Sequence, residues 1–100
     1  MIVHVVLWKL LDEACGKSKA ENCIEIKERF QALQDLISVI QYSKVYVNEI
    51  ETESNADVML VVKCETEKDL NLYMQHHLHQ ELSHWVSKIR KTRIALDYIE

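Results

Sequence analysis

The stretch Ile2-Val3-His4-Val5-Val6-Leu7-Trp8-Lys9-Leu10 decides the fold, because both of its alternating sets of side chains are apolar. A strand with one wet face alternates apolar and polar residues, whereas a strand covered on both faces reads as a nearly continuous apolar run. A second run of this kind spans Val58 to Cys64. Two such strands in one small domain require a sheet with cover on each side.

The rest of the chain supplies that sheet and its cover. Asp12 to Lys19 is polar and holds the only glycine, Gly16, which predicts a loop. Ala20, Cys23, Ile24, Ile26, Phe30, Leu33 and Ile37 recur at three- and four-residue steps, the pattern of an amphipathic helix. Its outer face, from Glu21 to Arg29, is a solvated stripe of charge. Val39 to Glu51 alternates and is rich in β-branched and aromatic residues, a strand, and Thr52 to Asn55 is a turn. Strands joined that closely must be antiparallel. Thr66-Glu-Lys-Asp69 has the form of a capping box, and Leu70, Tyr73 and Met74 mark a short helix. Leu82, Trp85, Val86 and Ile89 mark another, and Ile94, Leu96 and Tyr98 alternate against Arg93 and Asp97 as a last strand.

The order is βαββααβ over a single domain, residues 1–100. It predicts a ferredoxin-like α+β fold: a four-stranded antiparallel sheet with helices on one face. Those helices leave the other face open, although two strands are apolar on both sides. The economical cover is a second copy of the same sheet, giving a homodimer in the form of a dimeric α+β barrel.

Composition narrows the partners. The apolar fraction of 48% suffices for a core, although a chain of this size buries only about 65% of its unfolded surface. A net charge of −4 and a pI near 5.7 argue against nucleic acid, which calls for a basic face. The one basic run, Lys88, Arg90, Lys91 and Arg93, is placed at a helix end, where cations complement the dipole. Cys15, Cys23 and Cys64 lack disulfide or zinc spacing and read as reduced thiols. The N-terminal run lacks a basic leader and a cleavage site, and no stretch reaches the roughly 18 uncharged residues of a membrane span. The expected location is cytoplasmic, with no membrane partner.

Chemistry is concentrated in Tyr73-Met-Gln-His76-His77-Leu-His79, followed by His84: four of the five histidines within nine positions. Histidine is the side chain whose unperturbed pKa lies near neutrality. The same spacing does not converge on a metal, because residues at i, i+1 and i+3 of a helix point in different directions; Glu81 is the best local acidic candidate for a supporting ligand. No metal is expected.

Three motifs together resemble the stress-responsive A/B barrel (Dabb) domain family: the opening His4-Val-Val-Leu-Trp-Lys-Leu, the Tyr73-x-x-His76-x-x-His79 spacing, and the closing Arg93-Ile-Ala-Leu-Asp97-Tyr98. The resemblance covers essentially the whole chain and implies a homodimeric α+β barrel. One plant branch of that family cyclises linear polyketides by aldol condensation without metal or cofactor. Carried over by motif, His4 is its strand-1 histidine, Tyr73 its helix tyrosine, His79 its catalytic histidine and His76 the accompanying histidine. Two departures stand out. Ser38 and His77 occupy places where the family often has proline, and Tyr46 replaces a small residue and would intrude on a ligand cavity.

On this reading His79 is the general base toward an activated methylene. Tyr73 donates a hydrogen bond to the developing oxyanion, and His4 orients the ligand from a face shared with Ile2, Val6 and Trp8. His76, Trp8 and Tyr46 are the candidate ligand contacts. The function expected is binding of a small molecule between sheet and helices, with cofactor-free, cyclase-like acid–base chemistry as its most developed form. Two other classes stand beside it. One is a non-catalytic stress-response or interaction protein in which His76 and His79 only cap helices. The other is a haem- or metal-dependent monooxygenase on a related barrel.

Overall fold

The computed structural model describes all 100 residues. β1 (Ile2–Leu10) is followed by a miniature hairpin, β2 (Glu13–Ala14) and β3 (Lys17–Ser18), and by α1 (Lys19–Leu36). β4 (Tyr42–Val47) and β5 (Val58–Cys64) come next, then α2 (Glu67–Gln75), α3 (His77–Ile89) and β6 (Arg90–Ile99). The four long strands form one antiparallel sheet in the order β4-β5-β1-β6. This is the expected ferredoxin-like layer.

Three local readings are refined. The predicted loop after β1 closes into the β2–β3 hairpin, turning at Cys15 (φ 53°) and Gly16 (φ 78°). Two successive positive φ values are the mark of a tight hairpin turn, and glycine carries the second without strain. The strand expected over Val39 to Glu51 shortens to β4, because Asn48 and Asn55 both donate side-chain hydrogen bonds to the Ile50 carbonyl (3.0 Å each) and build a loop instead. The third refinement concerns the basic run. Only Lys88 lies in the last turn of α3, and Arg90, Lys91 and Arg93 belong to β6, which starts directly where the helix ends.

Caps hold the helices in place. Ser18 Oγ accepts from the Glu21 amide (3.2 Å) while Glu21 accepts from the Ser18 amide (3.1 Å), a complete capping box on α1. Thr66 accepts from the Asp69 amide (3.1 Å) to start α2, without the reciprocal bond. Between α2 and α3, His76 Nδ1 accepts from the Leu78 amide (3.1 Å). On α1, Gln31 and Gln34 accept hydrogen bonds from the Val45 and Ser43 amides (3.1 and 3.0 Å), so the edge strand β4 does not present free donors there.

The core lies between the helices and one face of the sheet. Val6, Trp8 and Leu10 of β1, Leu60 and Val62 of β5, Phe30 of α1 and Val86 of α3 meet there, each buried. Trp8 packs on Phe30 with ring centroids 5.4 Å apart. Trp85 is half-buried, with the Arg29 guanidinium 4.8 Å from its ring centre. The register sets the opposite face: Val5 pairs with Val61 and Leu96, and Leu7 with Met59 and Ile94. No helix covers these residues, and Ile94 and Leu96 are 67% and 63% exposed. The two-sided apolar strands predicted from sequence are therefore present, with one side bare in the protomer.

Candidate functional site

A cavity of about 250 Å³ opens between the helical face of the sheet and α3. Its floor is apolar, made by Val6, Trp8, Phe30, Leu60, Met74 and Val86. Its rim is polar, made by His4, His79, Ser83, Ser87, Arg90 and Arg93. Strand alternation brings His4 here, since it shares a face with Val6 and Trp8. Helix periodicity brings His79, Ser83, Val86 and Ser87 here, because residues three and four apart share a helical face.

The two histidines are held differently. His79 is buried and its Nδ1 donates to the Met74 carbonyl at 3.0 Å. A neutral imidazole that donates through Nδ1 keeps its lone pair on Nε2, the state a general base needs. Burial pushes its pKa below the ordinary value of 6.5; the Met74 bond opposes this, and the charges of His4, Arg93 and His76 add to it. His4 is buried as well, and its Nδ1 lies 2.5 Å from Asp97 Oδ1 on the adjacent strand. The β1–β6 register places His4 directly opposite Asp97, so the contact is built into the sheet.

Tyr73 is fully buried and its ring stands 4.5 Å from the His79 ring, tilted by 59°. Its hydroxyl has no hydrogen-bond partner and does not line the cavity. Burial drives its pKa well above the usual phenol value, so the group stays protonated. His4, Trp8 and His79 are thus brought together, and Tyr73 supports them from beneath the wall.

The other candidates are placed elsewhere. His76 caps α3 and stacks on His77 at 4.7 Å, outside the cavity. His77 and His84 are exposed. Tyr46 lies on the opposite face of the sheet, in a separate depression with Leu7, Met59 and Ile94. There its hydroxyl meets that of Tyr42 at 3.1 Å. It does not intrude on the cavity of His4 and His79. The histidines do not gather as ligands, and no three His, Cys, Asp or Glu side chains converge in metal-binding fashion. Cys23 and Cys64 are buried free thiols and Cys15 is exposed. No helix is long and apolar enough to cross a membrane.

Sequence reasoning missed Arg90 and Arg93, which it assigned to a helix end. The missed signal is positional: a basic residue on the helical side of β6 has only the cavity or solvent to face.

A family model for the Stress responsive A/B Barrel Domain matches residues 2–100. No curated protein matches the chain by sequence. Among solved structures, a dimeric protein of unknown function with a ferredoxin-like fold from Bacteroides fragilis superimposes with a TM-score of 0.85 at 25% identity, over 99% of this chain and 95% of that one. A Dabb family protein from Mesorhizobium loti gives 0.72 at 14% identity, over 99% and 95%. An antibiotic biosynthesis monooxygenase gives 0.75 at 5% identity, over 100% and 98%. At such low identity the last two likenesses speak for the fold alone.

Proposed function

Since this chain belongs to the Stress responsive A/B Barrel Domain family, we propose that it acts as a homodimer holding a small molecule in the His4–His79 cavity, with His79 as a cofactor-free general base. The observation that carries this reading is the state of His79. Its Nδ1–H is committed to the Met74 carbonyl, and burial and neighbouring charge keep the ring neutral. The basic nitrogen is thereby available at working pH beside an apolar cavity.

The remaining groups support the same chemistry. Asp97 holds the orientation of His4 across the cavity. Tyr73 braces the His79 ring from outside the cavity lining. The substrate type that suits such a base is a carbonyl compound with an activated methylene, as in an intramolecular aldol closure. A proton leaves the methylene carbon for His79, the resulting enolate attacks a second carbonyl within the same molecule, and the alkoxide so formed takes that proton back from His79.

The dimer is part of the proposal. The bare face carries Ile94, Leu96, Tyr98 and Tyr46, all substantially exposed in the protomer. A contiguous apolar sheet face of this kind is a protein-interaction surface, and the Bacteroides fragilis relative is itself dimeric.

The experiment is proton exchange. Methyl acetoacetate in D2O should lose its methylene proton signal faster with the protein than in matched buffer. His79→Gln should abolish that gain while the dimer persists, a loss on the order of 10²-fold or more for a general base. Equal exchange by wild type and variant would refute the assignment.

A further inference from the structure

The cavity carries two cations that its acid–base chemistry does not use. Arg90 and Arg93 both line it, and neither forms an ion pair with any carboxylate of the chain. The one acid on the nearby strand face, Asp97, is engaged by His4.

Their common placement is a product of the backbone. Residues three apart on a regular strand point to opposite faces. Here the β1–β6 ladder runs Trp8 opposite Arg93 and Lys9 opposite Thr92, then slips so that Leu10 faces Arg90. Lys91 is the extra residue of a β-bulge, and the slip returns Arg90 to the side that Arg93 already occupies. Both arginines then stand on the helical face with Trp8 and Leu10, while Lys91 borders a different, polar groove with Lys9 and Lys19. Bulges re-aim side chains in this way near functional sites. The field of Arg93 reaches the site itself, as it helps hold the His79 pKa down.

Resting on the cavity reading above, we infer that the ligand is a small carboxylate with an apolar body: its carboxylate held by Arg90 and Arg93 at the rim, its body on the Trp8–Phe30–Val86 floor. Guanidinium groups are suited to carboxylates through paired, charge-assisted hydrogen bonds. Ser83, on the same face of α3, adds a hydroxyl donor at the rim, whereas the Ser87 hydroxyl donates to the His84 carbonyl (2.5 Å). The volume bounds the size. About 250 Å³ corresponds to roughly eight waters at about 30 Å³ each, and so to a ligand of on the order of ten non-hydrogen atoms.

The test pairs hexanoate with its uncharged isostere hexanamide, each titrated into ¹⁵N-labelled dimeric protein and followed by amide shifts. Hexanoate should perturb Val86, Ser87 and His79 and bind about tenfold tighter than hexanamide, the scale of a charge-assisted hydrogen bond. Arg93→Gln and Arg90→Gln should each erode that preference, weakening hexanoate more than hexanamide, and their spectra report whether the fold is intact. Equal binding of the two probes, insensitive to both variants, would overturn the carboxylate inference and leave the cavity reading standing. Hexanoate shifts confined to the Lys9, Lys19 and Lys91 groove would overturn it too, as binding at the wrong site. Binding of neither probe would overturn both readings together.

Discussion

The Tyr73 ring lies 4.5 Å from the His79 imidazole, yet the Tyr73 hydroxyl is sealed away without a partner. Two residues that one motif pairs as donor and base thus meet ring to ring. Position alone gives Tyr73 a supporting part, and its hydroxyl carries a cost in stability that chemistry would have to justify.

Tyr73→Phe tests that cost. An enclosed, unsatisfied hydroxyl destabilises a fold by about 1–3 kcal/mol, so the variant should unfold at higher denaturant, by about 1 kcal/mol. Methylene exchange unchanged in the same variant would confine Tyr73 to bracing, while loss of exchange with a stable fold would make the hydroxyl a donor to the ligand. Tyr73→Ala should instead cost about 3–5 kcal/mol through the cavity it leaves.

His79 predicts a pH dependence. Its folded pKa lies below 6.5 because burial disfavours the charged ring. The unfolded chain therefore takes up the proton first as the solution is acidified. The associated stability is fully present above the ordinary histidine value and declines as pH falls from there toward the folded value. Denaturant curves between pH 7.5 and 5 should show that decline in wild type and a shallower one in His79→Gln. Arg93→Gln should raise the His79 pKa, followed by the ring-proton shifts, since it removes a facing cation.

The bare sheet face predicts a mass. Light scattering of the wild type should give twice 11.8 kDa. Leu96→Asp should halve it, because Leu96 is 63% exposed in the protomer and its charge would be buried only against a second sheet. A wild-type monomer would remove the dimer from the proposal.

Asp97→Asn separates orientation from stability. The Asp97 side chain is half exposed, and an asparagine there keeps a side-chain carbonyl that can accept from His4. The melting temperature should therefore move little. The expected change is at His4, whose Nδ1 loses its charged acceptor; long-range ¹⁵N spectra should show a mixed tautomer in place of a single one.

Much of this was legible in the chain. The period-two pattern of β1 placed His4 with Val6 and Trp8, and the three- and four-residue steps of the helices marked their buried sides, because these periodicities follow from backbone geometry alone. The apolar second set of β1 and β5 announced a sheet face in need of cover. What local pattern could not carry is register, which depends on which strands pair and where they slip. Register set Asp97 against His4 from opposite ends of the chain, and put Tyr46 on the face away from the histidines. The bulge at Lys91 turned an ordinary-looking basic run into two arginines at one cavity, because a single unpaired residue reverses the alternation that sequence reading assumes.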